Sequence, residues 1–117
     1  MNHRIERHGP VTVLIAGGRL DFSAAAGFQL QLDNLVGAAD GTGVLIVDCA
    51  ELEYVSSAGL RVFMLAARNC QRNGRYFAVC ALQQAVREVF ELSGFGRVIA
   101  VHADRAAALA AAPSPPR

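Results

Sequence analysis

The chain has 117 residues, with 11 basic and 10 acidic side chains, and 53% of it is apolar. Every basic residue is arginine. That excludes a Schiff-base lysine, a P-loop lysine and a lysine general base. The length suits one domain, able to bury most of its unfolded surface around a single core. The apolar content argues against disorder except at the ends, and the balanced charge argues against nucleic acid as a partner.

No apolar run is long enough to span a bilayer, and no basic-then-apolar leader is present. The expectation is a soluble, cytoplasmic protein without membrane contact. Cys49, Cys70 and Cys80 are far apart and set among apolar residues, which reads as core rather than a disulfide framework. His3, His8 and His102 lie near the chain's ends without ligand spacing, so no metal is expected.

In chain order, His3 to Arg7 pairs with Val11 to Ala16 as a hairpin turned at His8-Gly9-Pro10, and Gly17-Gly18 stops the second strand. Ser23 caps a helix from Ala24 to Gly37, with Phe28, Leu32, Leu35 and Val36 on one face. Asp40-Gly41-Thr42-Gly43 is a loop. Val44 to Val47 is a strand covered on both faces. Asp48-Cys49-Ala50 leaves the sheet, and residues 51–56 form a connection.

Ser57 to Asn73 reads as a helix, with Leu60, Phe63, Met64 and Ala67 inward and Gly74 as C-cap. Tyr76 to Ala81 is a strand, Gln83 to Ser93 a helix, and Val98 to Val101 a short strand. Asp104 caps a last helix to Ala112. Residues 113–117 form a disordered Pro-rich tail, and residues 1–112 the domain. The order is β-β-α-β-α-β-α-β-α. The fold class is α/β, a mixed, mostly parallel sheet flanked by about four helices.

No nucleophile elbow, Walker motif or dinucleotide fingerprint is present. Asp21 and Asp48 could meet as an acid–base pair, or serve as caps. The informative segment is Val55-Ser56-Ser57-Ala58-Gly59-Leu60, where a loop enters a helix with two hydroxyls. One serine can cap the helix. Orphan N–H groups and the helix dipole also favour an anion there, so a phosphate would change the surface without melting the helix. Gly59 costs helix stability, which close packing or a partner's close approach would explain. Arg61, one turn after Ser57, can face a phosphate or a partner's carboxylates. Arg61, Arg68, Arg72 and Arg75 otherwise read as a solvated stripe. Tyr54, Val55 and Leu60 are candidate apolar anchors, with Tyr54 equally readable as core.

These residues resemble the STAS domain family, and within it the small bacterial anti-sigma-factor antagonists. The likeness runs from about Val11 to Ala111. It rests on Gly18-Arg19-Leu20-Asp21, Val44-Leu45-Ile46-Val47-Asp48, Tyr54-Val55-Ser56-Ser57-Ala58-Gly59-Leu60-Arg61-Val62 and Val86-Arg87-Glu88-Val89-Phe90-Glu91-Leu92-Ser93-Gly94. The family's motif is Asp-Ser-Ser/Thr/Ala-Gly-Leu, and alignment on Gly59-Leu60 puts its acceptor serine at Ser57. Ser56 stands where the family has aspartate, which makes Ser56 a possible second acceptor.

The resemblance implies a non-enzymatic binding module without a cofactor, monomeric when free. Its partner would be an anti-sigma factor that is also a serine kinase of the histidine-kinase-like ATPase type. Phosphorylation of Ser57 would end binding, and a PP2C-type phosphatase would restore it, so that transcription is regulated by partner switching. Asp21 would help shape the partner face with Tyr54, Val55, Ser56, Gly59, Leu60 and Arg61. Two other functions fit the same sequence: a constitutive STAS scaffold subunit of an ABC lipid-transport system, and a small-ligand or nucleotide sensor at the Asp21 and Ser57 loops.

Overall fold

The computed structural model describes residues 1–37 and 43–113. The expected loop at Asp40-Gly41-Thr42 and the tail at 114–117 lie outside the described residues. The elements are β1 (Asn2–His8), β2 (Val11–Leu20), α1 (Phe22–Val36), β3 (Val44–Val55), α2 (Ser57–Arg72), β4 (Tyr76–Cys80), α3 (Gln84–Ser93), a 3₁₀ turn (Phe95–Arg97), β5 (Ala100–His102) and α4 (Arg105–Ala111). They make a five-stranded sheet in the order β1-β2-β3-β4-β5. The hairpin β1–β2 is antiparallel, and every later pair is parallel.

The strand order explains the layering. Right-handed crossovers that always step the same way place their helices on one face. The helices α1, α2 and α3 do share one face, over Leu14, Leu45, Val47 and Val79. An aromatic chain links them: Phe28 to Phe63 at 5.4 Å, Phe63 to Phe90 at 5.3 Å, and Phe90 to Phe95 at 6.1 Å between ring centroids. Such tilted contacts add to area burial.

Among the described residues, the opposite face has α4 alone. Ala108, Leu109 and Ala112 cover Val13, Ile15, Val44, Ile46, Ala78 and Cys80. Small side chains bury little area, and charge supplements it. Arg105 Nε donates to Asp48 Oδ2 and its Nη1 to Glu6 Oε1, both at 3.0 Å. Asp48 is therefore a buried anchor for α4 opposite Ile15, whereas Asp21 lies beyond Leu20 at the far end of β2, so the two carboxylates form no acid–base pair. All three cysteines are buried as thiols.

The largest departure from expectation is β3. It does not leave the sheet at Asp48 but continues to Val55. Ile15 pairs with Asp48 while Gly17 pairs with Glu51, and Gly18 pairs with Leu52 while Arg19 pairs with Tyr54. Each slip is a bulge with an extra residue on β3. The bulges turn Cys49, Leu52 and Val55 inward at a spacing of three, which hides the usual alternation. Likewise Gly17-Gly18 does not stop β2. Gly18 holds φ at +85°, a conformation suited to glycine, within the continuing strand. The last strand is also shifted, because the 3₁₀ turn occupies the residues before it and β5 begins at Ala100.

Candidate functional site

Beyond Asp48, β3 loses β4, which ends opposite it at Cys80. The bulged halves of β2 and β3 then run on as a two-stranded extension. Leu20 and Val55 close it as register partners. One residue past each strand, a helix begins. Ser56 N–H donates to Leu20 C=O at 2.9 Å and holds the two exits together.

The two helix starts are capped differently. Asp21, not Ser23, caps α1: its Oδ1 accepts from Ala24 N–H at 3.0 Å. Ser23 instead donates its hydroxyl to Asp21 Oδ1 at 2.8 Å. That bond, with the Ala24 N–H, holds the Asp21 carboxyl below its usual range. At α2, Ser56 Oγ accepts from Gly59 N–H at 3.1 Å. Of the two serines, Ser56 is therefore the cap.

Ser57 is thereby released from structural duty. It is the first residue of α2, it is exposed, and its hydroxyl makes no hydrogen bond with another described residue. The positive end of the helix dipole and the free N–H groups of the first turn surround it. Arg61 is also exposed, one turn along, and has no ion pair among the described residues.

The remaining expected contacts divide by burial. Val55, Gly59 and Leu60 face inward. A Cβ on Gly59 would stand 2.6 Å from Leu20 Cγ and 3.0 Å from Val55 Cγ2. Close packing against the strand ends therefore accounts for this glycine. Tyr54 is on the surface, 39% exposed, with the Arg19 guanidinium 4.3 Å over its ring.

One exposed aromatic escaped the sequence reading. Phe22 opens α1 directly after the Asp21 cap and is 83% exposed. Helical spacing did not signal it: Phe22 stands three residues before inward-facing Ala25, a separation that puts both on one helix face, yet as the first residue of α1 it is left outside. Phe22, Tyr54, Ser57 and Arg61 are thus carried by the ends of two adjacent strands and their helices. Among the described residues, no helix is long and apolar enough to cross a membrane.

Known proteins share this fold. The STAS domain profile matches residues 2–108. A Bordetella bronchiseptica protein named as an anti-sigma factor antagonist, BtrV, is 39% identical over 83 residues, covering 71% of this chain and 72% of its own. The crystal structure of an anti-sigma factor antagonist from Mycobacterium paratuberculosis superposes with a TM-score of 0.85 at 23% identity, covering 95% of this chain and 92% of that one. The phosphorylated form of the Bacillus cell fate determinant SpoIIAA gives 0.70 at 18% identity, covering 93% and 97%. The chain belongs to the STAS domain family, and relatives it matches there carry the name anti-sigma-factor antagonist.

Proposed function

We propose that this protein is an anti-sigma-factor antagonist that binds an anti-sigma factor with serine-kinase activity and is switched off by phosphorylation of Ser57. The observation that carries the reading is the division of labour between the two serines. Ser56 caps α2, so Ser57 can be modified without uncapping the helix.

The chemistry is transfer of the γ-phosphoryl group of the kinase's ATP to Ser57 Oγ. The P–O bond to ADP breaks, the Oγ–P bond forms, and the hydroxyl proton is released. The product adds roughly 1.5–2 negative charges at the helix start. The dipole and N–H groups there tolerate it, and Arg61 is one turn away to pair with it. The fold survives while the partner meets a new charge. A PP2C-type phosphatase would hydrolyse the ester and restore binding. The setting is a bacterial cytoplasm and the free protein a monomer.

Phe22, Tyr54 and Arg61 would make the direct partner contacts beside Ser57. Asp21 holds the neighbouring helix start in place. Val55, Gly59 and Leu60 support this surface from beneath. Because Ser56 is engaged as a cap, Ser57 is the favoured acceptor.

The test is a pull-down from the host's lysate with wild type, Ser57→Ala and Ser57→Asp as baits, read by mass spectrometry. A kinase-type ATPase held by wild type and Ser57→Ala but lost by Ser57→Asp is the expected result. Equal capture of a transporter ATPase by all three would replace the switch with a constitutive scaffold.

A further inference from the structure

Helix α2 carries an unusual distribution of charge for a chain with a net charge of only +1. Its sequence, SAGLRVFMLAARNCQR, has arginines and no acidic residue. Arg61, Arg68 and Arg72 are exposed and make no ion pair with a described residue. Their spacing keeps them on one side of the helix. An ordinary solvated helix face mixes signs, because opposite charges at this spacing stabilise it and like charges do not.

A groove of about 300 Å³ runs beside this ridge, between α2 and the β4–β5 edge. Ala67, Phe77, Val98 and Ala100 contribute its apolar lining, and Arg68 and Gln71 border it on the helix side. Val98 is 57% exposed there. Arg75 also lines the groove but is engaged, donating Nη1–H to the Leu35 carbonyl at 2.8 Å. The groove is thus apolar within and cationic along one bank.

We propose that this groove binds an acidic amphipathic segment of a protein partner, with apolar side chains against Val98 and Phe77 and carboxylates on Arg68 and Arg72. Charge complementarity selects the acid. The apolar lining selects an amphipathic protein segment over a bare polyanion. The near-neutral whole molecule disfavours nucleic acid, whose binding rests on a broad basic surface. Arg68 lies about 16 Å along the helix from Ser57, so the site is separate from the phosphorylation switch and does not depend on it.

The probe is a fluorescein-labelled 16-residue amphipathic peptide of Glu and Leu, titrated into the full chain and followed by anisotropy and amide shifts. Binding should be measurable at 50 mM NaCl and weaken several-fold by 300 mM. The expected shifts map to Ala67, Arg68, Gln71 and Val98. Arg68→Glu with Arg72→Glu should weaken binding about ten-fold. Val98→Asp should weaken it comparably, while Arg7→Glu on β1 and Ser57→Asp leave it within two-fold. A Gln-for-Glu peptide should not bind. The proposal is overturned by no peptide binding at 50 mM NaCl, by shifts mapping elsewhere, or by equal loss with Arg7→Glu. It is also overturned if a 16-bp DNA duplex or phosphatidylserine vesicles bind more tightly with the same arginine dependence. Loss of the lysate ATPase with Ser57→Asp alone reports on the switch and leaves this result untouched.

Discussion

The starts of α1 and α2 sit side by side at the ends of paired strands, yet they handle charge differently. Helix α1 has a built-in anion: Asp21 accepts from Ala24 N–H and from Ser23. Helix α2 has two hydroxyls, one spent on Gly59 N–H and one exposed. One start is permanently charged, while the other is neutral until something adds charge. The lesson is that a helix N-terminus can become a switch only where capping and modification fall to different residues.

The comparison can be broken hardest at Gly59. Gly59→Val drives a branched side chain into Leu20 and Val55. It should cost about 2–3 kcal/mol in urea unfolding and disturb both starts at once. Gly59→Ala should cost less, because alanine's helix propensity partly offsets the clash. Next is Phe22→Ala, which removes the exposed aromatic proposed as a partner contact. Partner affinity should fall by about 2 kcal/mol by calorimetry, with stability inside about 0.5 kcal/mol of wild type.

Ser56→Ala removes the α2 cap and should cost about 1 kcal/mol of stability. Ser57→Ala should leave stability unchanged, which separates the two hydroxyls. Ser57→Asp should raise stability by about 0.5 kcal/mol at low salt through the helix dipole, even as it ejects the partner. A melt showing Ser57→Asp strongly destabilised would contradict a surface switch.

The smallest effect belongs to Asp21. Its folded-state pKa lies below the unfolded value, first through the Ser23 hydroxyl and then the Ala24 N–H. Its contribution is therefore complete above the unfolded carboxylate range and lost as pH falls through the folded value. Melts of wild type and Asp21→Asn should differ near pH 7 and converge below about pH 4.

Much of this was legible in the sequence, for identifiable reasons. Element order, sheet type and the start of α2 followed from apolar runs, glycine stops and the Ser-Ser-Ala-Gly-Leu segment. The second half of β3 was not legible. Its bulges set Cys49, Leu52 and Val55 three apart, and a reading based on alternation sees a connection there. The α1 cap was misplaced because Ser23 and Asp21 are both good caps, and only geometry shows that the serine serves the aspartate. Val55 and Leu60 look like anchors beside the serines, but the structure turns them inward and leaves Phe22 outside.

The neighbour-by-neighbour strand order has a consequence for biosynthesis. Each strand after β1 pairs with its predecessor in the chain, so none of these must wait for a later segment before finding its place. Synthesis delivers strands in that same order. The extension formed by β2 and β3, with α1 and α2 at its end, has all its pairing partners once Arg72 has emerged from the ribosome. Strands β4 and β5 with α3 and α4 then extend a sheet whose Ser57-bearing end is already laid down.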